Sequence, residues 1–285
     1  MHGLRRGRLP AAIAVCTAAL AAAFAAPAAA VSLGQVPSGT PPAFCDGPLD
    51  LLQPSVTSGN AYVVPATGGV TSWTVTSWST NASVQPGQTA GLRFFRKVGD
   101  PATFQAVGRE GQHDLIPGIN TFPSALQVSA GDLLGMFYTG SGACAFDAPD
   151  LAYFVQQDLP DGQSTEFNGD GPARLNLTAE VTPTGEFALA KPKSKSNGTA
   201  VLRVTVPNPG LLTASGGGAA KASPGAVAAK QVPAAGKVKL VIKAKGLKKR
   251  KLARKGKVTV RPKITFTPTG GIPASEFRKI RLHRR

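Results

Sequence analysis

Short runs rich in β-branched and aromatic residues recur every 8–14 residues along the chain after residue 30, and Gly, Pro, Asn and Asp separate them. No segment of this region shows convincing helical periodicity. Regularly spaced short strands with turn residues between them are typical of two packed sheets. The pattern therefore predicts an all-β protein.

Charge divides the same region into two parts. Residues 31–190 contain 14 acidic and 5 basic residues, a net charge of −9, whereas residues 191–285 contain 24 basic residues and one acidic residue, a net charge of +23. A turn-rich segment at 182–185 lies close to the change of sign. Because such an asymmetry indicates separate domains, we predict an acidic β-sandwich over residues 31–182, a linker over 183–186 and a basic β-sandwich over 187–285.

The amino terminus has the features of a secretory signal. Arg5, Arg6 and Arg8 precede an apolar stretch at residues 11–26, and three alanines follow at 28–30. We therefore predict that residues 1–30 are a cleaved signal peptide and that the protein is secreted. A membrane-anchoring helix is disfavoured because the stretch is short and Ala-rich and a proline follows it directly. No later segment has 18 consecutive apolar residues, so we expect no transmembrane segment after cleavage.

Removal of the signal peptide would leave two cysteines, Cys45 and Cys144. An even number of cysteines in an exported chain predicts a disulfide bond. This bond would close a loop of about 100 residues. The chain-entropy model then gives a stabilisation of the folded state of at most about 4.7 kcal/mol. The alternative is a pair of buried thiols.

The acidic part contains eight predicted strands, and this number fits a two-sheet jelly roll better than a seven-stranded immunoglobulin-like domain. Phe122-Pro123 and the segment Val-Ser-Ala-Gly-Asp-Leu-Leu-Gly at 128–135 resemble the penultimate hairpin of jelly-roll domains of exported bacterial proteins and of carbohydrate-binding modules. This resemblance implies an architecture and no particular ligand. The predicted strands are residues 61–64, 70–80, 90–97, 103–107, 121–128, 133–138, 151–156 and 173–181.

The basic part contains six predicted strands. In residues 237–244 and 257–265 apolar residues alternate with Lys or Arg, which predicts one buried face and one lysine-bearing face. The segments at 198–207 and 266–271 resemble the lysine-rich immunoglobulin-like or fibronectin-III-like sandwiches of secreted proteins from high-GC bacteria. This resemblance implies a sandwich and carries no activity with it. The predicted strands are residues 187–189, 200–206, 211–214, 237–244, 257–266 and 277–282.

Candidate catalytic residues are scarce after residue 30. Two histidines and two cysteines are too few for a zinc site, and the chain has no G-x-S-x-G motif. His113 is the only candidate general base. A glycosidase would need paired carboxylates, but Glu110, Glu166 and Glu180 do not lie beside one another on a shared strand. We therefore predict no catalytic residue, no cofactor and no enzymatic activity, with a carbohydrate-active hydrolase as the alternative.

Acidic residues crowd residues 147–170 together with Asn and Gly, which are also found in calcium-binding loops. Their spacing does not match an EF-hand, and Asp in turns usually bonds its own backbone. We therefore expect no metal site. The weak calcium candidates are Asp147, Asp150, Asp158, Asp161 and Asp170.

Carbohydrate binding requires exposed aromatic rings that can stack on sugars. Alternation along their strands places Trp78 and Phe95 on the face opposite to several apolar neighbours, and Tyr138 is a third candidate for exposure. A β-bulge would reverse the assignment for Trp78. Burial of these rings against a loop is the more common outcome.

The densest charge lies at residues 245–257, where eight of thirteen residues are basic. Such a run can neutralise phosphates or other polyanions, although it contains no aromatic residue that could stack on bases. We expect Leu247 and Leu252 to pin this connection, with one helical turn that ends at Gly256. A solvated rim that keeps the protein in solution is the alternative. The predicted polyanion-binding residues are Lys245, Lys248, Lys249, Arg250, Lys251, Arg254, Lys255 and Lys257.

These features favour a secreted, non-enzymatic binding or adhesion protein of a bacterial cell envelope. The basic part would attach to anionic wall or surface polymers, and the acidic part would face outward with carbohydrate as a candidate ligand. We expect no specific nucleic-acid recognition. A third interpretation is that the basic part docks onto the acidic part of the same molecule.

Overall fold

The computed structural model describes residues 30–39, 45–216 and 228–284. In these residues the chain forms 27 strands and one helix, so the predicted all-β fold is confirmed. The predicted signal peptide lies almost entirely outside the described residues.

We divide the structure into an N-terminal sandwich (residues 31–183) and a C-terminal sandwich (residues 184–284). The N-terminal sandwich contains β1 (Val31–Gln35), β2 (Cys45–Asp46), β3 (Leu49–Leu52), β4 (Ser72–Ala82), β5 (Thr89–Gly99), β6 (Thr103–Arg109), β7 (His113–Asp114), β8 (Gly118–Pro123), β9 (Gln127–Ser129), β10 (Leu133–Thr139), β11 (Ser141–Gly142), β12 (Ala145–Asp147), β13 (Ala152–Val155), β14 (Ser164–Glu166), β15 (Asn168–Asp170), β16 (Ala173–Leu175) and β17 (Leu177–Pro183). The C-terminal sandwich contains β18 (Ala188–Leu189), β19 (Lys193–Ser194), β20 (Thr199–Val206), β21 (Gly210–Ser215), β22 (Ala228–Val232), β23 (Gly236–Lys243), α1 (Gly246–Lys255), β24 (Lys257–Val260), β25 (Lys263–Pro268), β26 (Ala274–Phe277) and β27 (Ile280–His283).

Two antiparallel sheets enclose the main core of the N-terminal sandwich. One sheet has the order β1-β17-β4-β8, with β9 also paired to β4, and the other has the order β14-β6-β5-β10-β3-β13-β15, with β7 also paired to β5. Trp73 and Val75 from the first sheet and Phe94 and Met136 from the second lie in one buried cluster. The alternation of apolar residues along β4 and β17 and the continuous buried run of β5 therefore produce the core.

The larger sheet also buries its second face. Phe95 and Phe104 project from it into a separate cluster that Leu159 and Phe167 cover. The ring of Phe95 lies 5.3 Å from the ring of Phe167 in an edge-to-face arrangement. This sheet is thus covered on both faces, which a simple alternation of polar and apolar residues does not reveal.

The C-terminal sandwich has its own core between two four-stranded sheets. In the first sheet β20 pairs with β18, β19 and β23, and the second has the order β22-β21-β25-β26. Leu202, Leu240 and Phe266 are among its fully or almost fully buried residues. The strands β24 and β27 pair with each other and add Val260 and Ile280 to the same core.

Several predicted strands differ from the observed ones. Residues 61–64 make only an isolated bridge at Val63, and the predicted strand 121–128 is two strands, β8 and β9. The predicted strand 257–266 breaks between β24 and β25 at Pro262, because proline cannot donate a ladder hydrogen bond. The buried and lysine-bearing faces predicted there are nevertheless observed, with Val258 buried and Lys257 exposed.

The predicted disulfide between Cys45 and Cys144 is confirmed, with the two Cα atoms 5.8 Å apart. Cys45 lies on β2, which pairs with β11 just before Cys144. The bond joins positions 99 residues apart in sequence, next to the two-stranded ribbon of β2 and β11, and both cysteines belong to the main core.

Asn208 joins the two sandwiches. Its side-chain oxygen accepts hydrogen bonds from the backbone amides of Thr71 and Ser72, and its amide group donates to the carbonyls of Ser72 and Thr184. The Thr71 hydroxyl donates to the carbonyl of Pro207 beside it. Among the described residues no ion pair connects the two sandwiches. The contacts between the two parts described here are hydrogen bonds of uncharged groups.

Candidate polyanion-binding surface

The helix α1 carries most of the predicted basic cluster. It is ten residues long rather than the single turn expected, and Gly256 ends it with a left-handed backbone at φ 64°. Leu252 is its buried contact with the sandwich, whereas Leu247 is 75% exposed. The prediction that both leucines pin this segment is therefore right for Leu252 and wrong for Leu247.

All eight predicted polyanion-binding residues are exposed, and the structure brings some of them together in two grooves. Lys245 and Lys249 line one groove of about 370 Å³, and Lys255 and Lys257 line a second groove of about 430 Å³. Arg284 lines both grooves. The other four predicted residues line neither groove: Lys248, Arg250, Lys251 and Arg254.

Three further cations in these grooves were not predicted. Lys243 ends β23 beside the first groove, Lys195 lines the second groove, and Arg284 is held between them because its backbone amide donates to the carbonyl of Gly256. Lys243 could have been found from the alternation along its strand. Lys195 and Arg284 could not, because their positions depend on strand pairing between distant segments.

Charge pairing differs sharply between the two sandwiches. All five basic residues of the N-terminal sandwich form ion pairs with carboxylates: Arg93, Arg96, Lys97, Arg109 and Arg174. Among the described residues from 191 onward the only acidic residue is Glu276, and it pairs with Arg278. The other cations of that region have no carboxylate partner within the part of the chain that the structure describes. Solvent ions or an anionic ligand would relieve their mutual repulsion.

The three candidate rings for sugar stacking are buried, which is the outcome expected as the more common one, so none of them is exposed to a sugar. A β-bulge opposite Val181 shifts the register of β4 and turns Trp78 into the core, where it is 1% exposed. Phe95 is covered by Phe167. The ring of Tyr138 lies in the main core, where its hydroxyl contacts the side-chain oxygen of Gln88 at 2.8 Å.

Three of the five calcium candidates form ion pairs with arginines: Asp150, Asp158 and Asp161. Asp158 contacts Arg93 and Arg109, and Asp161 contacts Arg109 at 3.9 Å. Asp147 is exposed at the end of β12, and Asp170 ends β15. In the described residues no group of three or more acidic, His or Cys side chains is placed to hold a metal ion.

Asp150 is the calcium candidate with the clearest structural role. Burial tends to raise the pKa of its carboxyl, but hydrogen bonds from the Thr57 amide and from Arg174 outweigh burial, and the pKa is lowered. The charged carboxylate is therefore an internal partner of Arg174 and not a free ligand.

The candidate catalytic groups of the N-terminal sandwich serve the packing of β4. Glu110 accepts hydrogen bonds from the Trp78 indole at 3.1 Å and from the Ser124 hydroxyl. The imidazole of His113 stacks on Phe122, with ring centroids 4.1 Å apart. Among the other glutamates considered, Glu180 accepts a hydrogen bond from Ser32.

The fold and this surface define an all-β protein with an unneutralised cationic C-terminal sandwich. No protein-family model, curated protein or solved structure matches the chain. The one helix found in the described part of the chain is too short and too polar to cross a lipid bilayer.

Proposed function

We propose that this chain is a non-enzymatic binding protein, exported to a bacterial cell envelope, whose C-terminal sandwich attaches it to anionic wall or surface polymers. The observation that carries the proposal is the contrast in charge pairing. A surface that serves only solubility needs a moderate net charge with both signs interspersed. In the C-terminal sandwich almost every cation lacks a carboxylate partner within the described residues, and several line common grooves.

The disulfide supports export, because such bonds persist in oxidising compartments and are rare in the cytosol. The N-terminal sandwich would then face outward. Its ligand is not part of the proposal, since the three aromatic candidates for sugar stacking are in the core. No arrangement of carboxylates described above favours the alternative of a carbohydrate-active hydrolase.

Retention on dextran sulfate, with neutral dextran as the matched matrix, tests the proposal because the two polymers differ in charge alone. The full chain should bind dextran sulfate at low salt, elute as salt rises and pass through neutral dextran. The triple variant Lys249→Ala/Lys255→Ala/Arg284→Ala should lower the slope of log affinity against log salt by roughly 2.

A control variant removes the same charge elsewhere. Lys230→Ala/Arg261→Ala/Lys263→Ala alters three basic residues that line neither groove. It should elute close to the unmodified chain. Absence of retention at low salt, or equal retention of the two triple variants, would show that the α1 surface does not bind polyanions.

A further inference from the structure

The outer face of the first C-terminal sheet carries a second group of cations, which lies outside the basic run of α1. β23 pairs with β20 along its whole length, so β18 and β19 share the other edge of β20. A groove of about 280 Å³ runs over this face, and Val201 is the only residue without a positive charge among those that line it. Its other lining residues are Lys191, Lys193, Lys195, Arg203 and Lys239.

Strand register fixes the pattern of these cations. Lys193 lies opposite Val201, and Val201 lies opposite Val241, so the three side chains share one row across the outer face. In the next row Arg203 lies directly opposite Lys239. Like charges at directly opposed positions destabilise a sheet, and no described carboxylate lies among the groove-lining residues to offset them. An anion in the groove would relieve this repulsion.

The geometry suits a chain with repeated charges better than one compact ion. Alternate residues of a strand are about 6.8 Å apart, and strands on either side of β20 are about 10 Å apart. Cations at such spacings surround the floor formed by Val201 instead of converging on one point. A linear polymer lying over this floor would meet charges on both sides.

The sheet groove is continuous with the α1 surface. Lys195 lines both the sheet groove and the groove of Lys255 and Lys257. Arg284 then connects that groove to the one lined by Lys245. The three grooves therefore form a track that passes from the sheet to the helix.

The residue types on the track indicate the chemistry of the ligand. Lysines outnumber arginines, and lysine is a common binder of phosphate, which it contacts as a point charge and not through a planar fork. No aromatic side chain lines the track apart from the imidazole of His283, so a base would find little to stack on. Tetrahedral phosphate or sulfate esters on a flexible backbone fit this surface.

We propose that the outer face of the sheet and the α1 surface together bind one linear polymer of phosphate or sulfate esters, along the track from Lys239 to Lys249. This inference rests on the proposed function and adds the extent of the site and the class of the ligand. A polymer long enough to span the track gains affinity, because once it is bound at one groove its binding at the next groove is an intramolecular step.

Titration of the full chain with short and long poly(glycerol phosphate), and with long dextran sulfate, tests the proposal. The long polymer should bind at least about 100-fold more tightly than the short one at equal phosphate concentration. The variant Lys193→Thr/Arg203→Thr/Lys239→Thr should lose most of this gain, and Lys230→Thr/Arg261→Thr/Lys263→Thr should keep it. All six side chains are exposed, so thermal unfolding should show both variants folded.

The outcomes separate this inference from the proposed function. If the sheet variant binds the long polymer as the control does while Lys249→Ala/Lys255→Ala/Arg284→Ala does not, the sheet groove is not part of the site and the α1 surface still is. If the unmodified chain binds neither polymer, both proposals fail. Equal or tighter binding of alginate, a carboxylate polymer, would overturn the ligand class. Self-association lost in the sheet variant would assign the groove to a second copy of this chain.

Discussion

At the scale of single residues, the pair of Asp50 and Arg93 couples the N-terminal sandwich to pH. Both side chains are buried, and Asp50 Oδ1 lies 3.5 Å from Arg93 Nε without a hydrogen bond to either atom from the described residues. Arg93 also contacts Asp158, which shares its charge. Burial raises the pKa of Asp50 to about 7 and outweighs the lowering by the Leu159 amide and by Arg93.

The pH dependence of stability follows from this shift. Because the folded chain holds a proton on Asp50 that the unfolded chain releases near 3.8, the free energy of unfolding should fall as pH rises from about 4 to about 7. The contribution is on the order of 3 kcal/mol. Urea denaturation of the unmodified chain and of Asp50→Asn over this range measures it. The difference between the two proteins should change with pH, and a constant difference would contradict the shift.

At the scale of secondary-structure elements, one side chain attaches α1 to the sandwich. Leu252 is its buried contact and packs over Gly198, where an added Cβ would come within 3.0 Å of a Leu252 methyl group. Gly198 also has φ 83°, a conformation that favours glycine. The helix has no acidic residue in its first turn and no side-chain cap, so tertiary contact must supply most of its stability.

Leucine truncation measures this attachment. Leu252→Ala should lower the free energy of unfolding by about 2–3 kcal/mol, because it removes buried apolar contacts and leaves a cavity. Leu247→Ala, on the same helix but exposed, should change it by less than about 0.5 kcal/mol. Denaturant titration of both variants gives the comparison. Equal effects of the two substitutions would show that Leu252 does not anchor α1.

At the scale of the whole molecule, the side-chain amide of Asn208 makes most of the side-chain hydrogen bonds described at the junction between the sandwiches. Asn208 is fully buried and makes four hydrogen bonds to backbone groups of three residues, two of which lie in the N-terminal sandwich. Buried backbone groups require partners, so this side chain holds the relative position of the two cores.

Substitution of Asn208 tests that coupling. Asn208→Ala should cost about 2–3 kcal/mol, because it leaves buried backbone groups without partners. We expect calorimetry to resolve two unfolding transitions in the variant where the unmodified chain shows one or closely overlapping transitions. Asn197→Ala is the matched control: this exposed asparagine accepts hydrogen bonds from Thr199, two residues away within the C-terminal sandwich, so the variant should keep the original profile. An unchanged profile for Asn208→Ala would show that other contacts couple the sandwiches.

Much of the fold follows from local patterns in the sequence. Alternation identified β4, β5, β20 and β23 to within a few residues, and the even cysteine count predicted the disulfide. The short strand β1 and the buried strand β3 were missed. Strand β3 is buried on both faces, and a strand of this kind is defined by its neighbours more than by its own periodicity.

The candidate site likewise has a part that the sequence predicts and a part that it does not. The basic run at residues 245–257 and the lysine-bearing faces are readable from the sequence because charge and alternation are local properties. Which cations share a groove depends on register between β19, β20 and β23 and on where Arg284 is held. The positions of Trp78 and Phe95 likewise depend on a bulge and on a covering segment.

By itself, the sequence determined an all-β chain with one disulfide and a division of charge between two parts. The tertiary structure alone decided which faces are covered and which cations meet, because strand pairing and packing join residues far apart along the chain. It buried the aromatic rings and placed unpaired lysines of separate strands along one track. The physical reason is that a strand's sequence specifies its two faces, whereas its neighbours specify what each face contacts.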